Sequence, residues 1–202
     1  MSKSLNETVL DSAVSKGKLN LGILYIHFSS GIPFSGLKTV WCSLYQPKHH
    51  FILWLAAHQK LLTRDHLIHC HIPVNSPSCP VCEAALESHA HLFFNCWFSR
   101  RLHQLISRWL GALVWPDNYQ EWCCWLSVPR KDSLSRVVSA ALAATVYFIW
   151  INRNRCWQES SCYVVDYVFG LIRDSVKARV HNFSHNCKKL NLREKMMLQF
   201  FL

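Results

Sequence analysis

Four side chains able to bind a soft metal sit close together in the run CPVCEAALESHAHLFFNC, from Cys79 to Cys96. Cys79 and Cys82 form a C-x2-C pair. Eight residues separate Cys82 from His91, and four more separate His91 from Cys96. A C-x2-C turn places two sulfurs on the same side of a tight loop, the arrangement one tetrahedral ion needs, and zinc favours thiolate and imidazole donors. Four protein ligands close the coordination sphere and leave no water to activate, so the predicted role of the metal is structural rather than hydrolytic. His89, two residues before His91, is a competing imidazole. Residues five apart are about 140° out of phase on an ideal α-helix. His91 and Cys96 therefore cannot both face one ion from a straight helix, and the segment is expected to loosen or end near Asn95.

The other close Cys and His residues lack such spacing. In His69-Cys70-His71 adjacent side chains point apart, and the triplet reads as a half-buried helix end. Cys123-Cys124, Cys156, Cys162 and Cys187 read as core or helix-surface cysteines. His49-His50 follows Pro47-Lys48 and reads as a solvated helix start. The opening MSKSLNETVL has no continuous apolar run of the kind a secretory signal carries. The cysteines are thus expected to stay reduced and the chain to be intracellular, in nucleus or cytoplasm.

The elements that must position these groups are mostly helical. Leu37, Val40, Trp41, Leu44 and Tyr45 fall at helical spacing before Pro47. A second helix is predicted from about Lys48 to Gln59, with Phe51, Trp54, Leu55 and His58 on its stripe. Thr63 can cap a short helix through Cys70, and Asp65 suits its first turn. Pro73, Pro77 and Pro80 break regular structure around the C-x2-C turn, after which Ser88 can cap the segment of His91. Helices are predicted from Trp97 to Leu110, after an Asp117 cap with Gln120 as reciprocal partner, from Ser133 to Glu159 behind Asp132, and over Val164–Phe183 and Leu190–Phe200. Leu21–Phe28 can form a short strand within an extension of weak pattern. The expected fold is all-α: a small helical domain braced by one CCHC zinc site, then a helical C-terminal region. The expected parts are an extension at 1–34, a zinc-binding domain at 35–112, and a helical region with a basic tail at 113–202.

Half the residues are hydrophobic, nine are Trp, and charged residues make up 17%. This composition can bury a core and argues against wholesale disorder. The apolar run Val137–Ile151 is short of the roughly 20 residues that span a bilayer, so it reads as a buried core helix. The net charge is +10 and is uneven. Residues 1–96 hold seven Lys/Arg against five Asp/Glu, and residues 97–202 hold fifteen against seven. A basic half favours a polyanion. The candidate nucleic-acid contacts are Arg100, Arg101 and Arg108 after the zinc turn, and Arg173, Lys177, Arg179, Lys188, Lys189, Arg193 and Lys195 further on. Trp109, Trp115, Trp122 and Trp125 are candidates for a protein-docking face, or for plain core.

Beyond the metal run, a wider pattern is present: Trp41, Pro47-Lys48, Phe51 to Trp54, Leu62-Thr63-Arg64-Asp65, Cys79, Cys82, Glu87-Ser88, His91 to Phe94, and Cys96. It resembles the reverse transcriptase zinc-binding domain at the C-terminal end of plant LINE-type retrotransposon polyproteins and of host genes derived from them. The resemblance covers about 38–110, and its spacing selects His91 over His89. Tyr147-Phe148-Ile149-Trp150 followed by Asn152-Arg153-Asn154-Arg155 is similar to an Ile-Trp-x-x-Arg-Asn step downstream in the same polyproteins. Gln46, Cys70 and Trp97 depart from the usual Pro, Trp and Pro. The resemblance implies a Zn2+ module that works beside a reverse transcriptase, gripping RNA or DNA. The paired aspartates of a polymerase palm and a compact acidic cluster of a nuclease are both missing from the sequence, so the chain is not expected to be an enzyme or to have a small-molecule substrate. The alternatives are a protein-interaction or scaffold module, or a retroelement remnant without function. A membrane role is not expected.

Overall fold

The computed structural model describes residues 46–111, 113–127 and 132–186, together with the backbone of Val14–Ser15 and Lys18–Leu19. The chain divides into two compact units, Met1–Ser35 and Gly36–Leu202. In the first, strands β1 (Val14–Ser15) and β2 (Lys18–Leu19) pair antiparallel, with Val14 opposite Leu19 and Ser15 opposite Lys18. The helix predicted over 37–45, the strand over 21–28 and the tail helix over 190–200 lie outside the described residues.

The second unit is helical. It comprises α1 (Pro47–Ala57), α2 (Arg64–His69), a π-helical turn (His91–Asn95), α3 (Trp97–Trp109), α4 (Tyr119–Ser127), α5 (Ser133–Glu159) and α6 (Val165–Asn186). Helix α5 packs against both α1 and α6, and α6 also meets α3. Its predicted bounds agree with the structure, because Asp132 accepts a hydrogen bond from the Ser135 amide at 2.8 Å and Ser160 ends the helix in the left-handed region. By length and composition α5 could cross a membrane, yet Val137, Val138, Ala140 to Ala144, Val146 and Ile149 are all buried against its neighbours. On α6, Val165, Val168, Ile172, Val176 and Val180 recur every three or four residues and form the facing stripe.

Three local expectations are corrected. On α1 the buried side chains are His49, His50, Leu53, Trp54, Ala56 and Ala57, whereas Phe51 is half-exposed. His49-His50 is therefore no solvated helix start: His49 is 3% exposed and stacks on Tyr147 at 4.6 Å. Burial, then the positive Lys48, then His50 when protonated and the positive Arg179, pushes its pKa down to about 4. His50 is also pushed down to about 4, by burial and Arg179. The cap of α4 is Asn118 rather than Asp117, one residue later than predicted. Its Oδ1 accepts from the Glu121 amide at 2.9 Å, and Glu121 accepts from the Asp117 amide. Finally, Cys156 and Cys162 form a disulfide, so these two cysteines are not reduced. The end of α5 and the turn before α6 bring their Cα atoms to 4.7 Å, which spacing in the sequence did not reveal.

Candidate metal centre

The turn carrying Cys79 and Cys82 is closed by its own backbone. The Cys79 amide donates to the Ala85 carbonyl at 2.7 Å, the Glu83 amide to Cys79 at 2.8 Å, and the Glu87 amide to Pro77 at 3.0 Å. Ser78 and Leu86 form an isolated bridge, and Glu83 takes a left-handed φ of 55° to turn the chain. From there Ser88 starts the next segment, its Oγ accepting from the His91 amide at 3.0 Å.

The out-of-phase problem between His91 and Cys96 is solved by a π-helical turn. The Cys96 amide reaches back five residues to the His91 carbonyl at 2.7 Å. This wider loop lays position 96 over position 91. Cys96 itself is extended (φ −62°, ψ 133°), and its carbonyl accepts from the Arg100 amide to begin α3. The segment thus loosens and ends where the spacing required. Leu92, Phe93 and Phe94 are buried on the far side and fix the turn in the core, Phe93 and Phe94 packing on Trp122.

These elements bring one ligand atom each from Cys79, Cys82, His91 and Cys96 within 4.8 Å of one another. Tetrahedral zinc with Zn–S near 2.3 Å and Zn–N near 2.0–2.1 Å separates its ligand atoms by roughly 3.5–3.8 Å. The four side chains therefore fit a zinc ion with side-chain adjustments alone. Cys82 Sγ already lies 3.2 Å from His91 Nε2. Cys79 and Cys96 are fully buried, while Cys82 and His91 are half-buried. The Cys79 thiol is pulled down to about 5, first by a hydrogen bond from Cys96 and then by the amides of Val81 and Cys82, against the opposing effect of burial. Cys96 is pushed up by the same hydrogen bond and by burial. Three sulfurs and an imidazole this close form a dense donor set that a cation would relieve. When bound, the ion supplies cross-linking, because all four positions are protein donors.

His89 takes no part in the cluster. It is buried, its Nδ1 lies 3.3 Å from Thr63 Oγ1, and burial lowers its pKa. That contact also explains why Thr63, at the N-cap position of α2, makes no side-chain cap bond. His69, Cys70 and His71 are exposed at the end of α2 rather than half-buried.

The sequence did not reveal that Glu87 and Arg153 meet. Arg153 Nε donates to Glu87 Oε1 at 2.6 Å and Nη2 to Oε2 at 2.7 Å, with side chains 1% and 0% exposed. The Arg64 amide also donates to Glu87 Oε2, at 2.8 Å, and Arg64 Nη1 to the Ser78 carbonyl. The Arg153 guanidinium lies 4.9 Å from the Trp150 ring and 4.5 Å from that of Trp157. This pair fastens the metal turn to α5. The only sequence signal was that Glu87 and Arg153 each belong to a recognisable step, on separate segments.

The nucleic-acid candidates fall into separate groups. Arg100, Arg101 and Arg108 lie on the exposed side of α3, opposite the buried Phe98, Leu102 and Ile106. Arg101 reaches Gln104. Arg173, on α6, pairs with Asp174 at 3.2 Å, and Lys177 and Arg179 are also engaged on that helix. Lys188, Lys189, Arg193 and Lys195 lie outside the described residues. Of the four tryptophans, Trp122 is core, and Trp109, Trp115 and Trp125 are half-buried.

A closed set of three thiols and one imidazole, held by a hydrogen-bonded knuckle and a π-turn inside a helical fold, defines a zinc-binding module. Residues 25–102 match the family described as zinc-binding in reverse transcriptase. What is matched is an accessory domain, not a catalytic one. No curated protein and no solved structure matches the chain.

Proposed function

We propose that this chain is a non-catalytic, zinc-braced module for binding nucleic acid, derived from the polyprotein of a plant LINE-type retrotransposon. On this reading residues 35–112 are the zinc domain, residues 113–202 brace it and add a basic tail, and the protein acts inside the cell. The observation that carries the reading is the placement of cations beside the metal turn. Helix α3 starts at Cys96, and its outer face presents Arg100, Arg101 and Arg108. The half of the chain that contains it holds fifteen Lys/Arg against seven Asp/Glu. A rigid helix carrying spaced guanidinium groups suits phosphate contacts, which release counterions and so weaken steeply with salt. The purified protein should shift RNA or single-stranded DNA at about micromolar concentration in low salt and release it as salt rises. Absence of any shift at low salt refutes the proposal. Binding that instead persists in high salt, to a protein, would favour a docking role for the half-buried Trp109, Trp115 and Trp125.

A further inference from the structure

An open groove of about 650 Å³ runs between α3 and the segment 115–117 and includes Arg100, His103, Gln104, Arg108, Trp115 and Asp117 in its lining. That volume is within the range of sites that hold a small organic group. Its floor is continuous with the metal turn, since Phe94 and Asn95 also line it and Cys96 follows them.

The two arginines at its ends are eight positions apart on one helix, about 12 Å along the axis. Both are exposed, and neither side chain has an ion pair or hydrogen bond among the described residues. Between them stands an aromatic wall. The Trp115 ring is 5.7 Å from His103 and 5.8 Å from Trp125, so it is held from two sides and still half-exposed. Burial pushes His103 down to about 4, so it is an uncharged ring beside Trp115 near neutral pH. Asp117, whose Oδ1 accepts from Asn118, puts a carboxylate at the rim. A carboxylate repels phosphate but can accept from the amino group of a base. Free cations at both ends, an indole between them and an acceptor at the edge match an unpaired nucleotide with its flanking phosphates. A duplex hides its base faces in the stack and cannot offer one to a side-chain ring.

We propose that this groove seats one unpaired nucleotide of a single-stranded nucleic acid, with the base stacked on Trp115 and the neighbouring phosphates on Arg100 and Arg108. The proposal rests on the nucleic-acid reading above and gives it a location.

The test uses the full-length zinc-loaded protein and fluorescence anisotropy with oligouridylate, oligodeoxythymidylate and a DNA duplex over a range of salt. Trp115→Ala should weaken binding to the single strands roughly tenfold, and Trp115→Phe should keep most of it. Arg100→Gln with Arg108→Gln should make the logarithmic salt slope shallower by roughly 1.4, the loss of two phosphate contacts on a single strand. Circular dichroism and zinc content confirm that each variant is folded. If the unaltered protein binds neither single strand, the groove and the nucleic-acid reading fall together. If it binds and all the variants bind equally well with the same slope, the groove assignment alone is overturned. Loss in the arginine variant without loss in Trp115→Ala overturns the base seat, as does tighter binding to duplex than to single strands.

Discussion

Replacing Arg153 by Met should be among the most damaging single changes in this protein. Glu87 would keep its backbone donor from Arg64 and lose both guanidinium bonds, at 2.6 and 2.7 Å. A carboxylate that is 0% exposed would then be left without a counter-charge. Breaking one side of a buried pair costs about 3–5 kcal/mol, mostly the desolvation of the partner left behind. The Arg153 contacts with Trp150 and Trp157 add to this, and Met recovers only part of their packing. In a folded unit of this size such a loss lowers Tm by roughly 10 °C. The double variant Glu87→Gln, Arg153→Met removes both charges and should be less unstable than Arg153→Met alone, by about 2 kcal/mol. Urea unfolding of the four proteins of the cycle, all zinc-loaded, measures the coupling. A loss below about 1 kcal/mol in Arg153→Met, or simple additivity in the double variant, would refute the reasoning. Because Glu87 adjoins Ser88, which caps the turn of His91, the single variant should also release zinc to a chelator faster.

Removing the metal should cost the fold much of its stability, since ligand assembly and folding share one free energy. Cys82→Ser is expected to lose stoichiometric zinc and to melt well below the parent, whereas His89→Gln should retain zinc, because His89 lies outside the cluster. An unchanged melting temperature in Cys82→Ser would count against the site. Stability should also fall on acidification. His49 and His50 are held at about 4 in the folded chain, against an ordinary value of 6.5. Between those values the unfolded chain binds protons that the folded chain excludes. The stability they contribute is therefore whole above pH 6.5 and is lost as pH drops towards 4, by at most roughly 3 kcal/mol per pH unit for the pair. Protonation of zinc ligands acts in the same direction, so the decisive measurement is the slope in His49→Gln, His50→Gln, which should be distinctly shallower than in the parent protein. An equal slope in the two would refute the assignment.

Much of this protein is local information, and the sequence by itself determined that part. The C-x2-C turn, the later His and Cys, and the phase mismatch between positions 91 and 96 are properties of a short stretch of chain, and they require a break in the helix. The bounds of α5 are equally local, because Asp132 caps it and its apolar run has helical length. What the tertiary structure alone decided involves partners on different elements. It buried His49 and His50 against Tyr147, joined Glu87 to Arg153, and set Trp115 beside His103 and Trp125. It also separated His89 from the metal cluster by pairing it with Thr63. Periodicity tells which face of a helix is apolar, but not what meets that face. A charged residue at the end of an apolar stripe looks solvated until a counter-charge from another segment is folded against it.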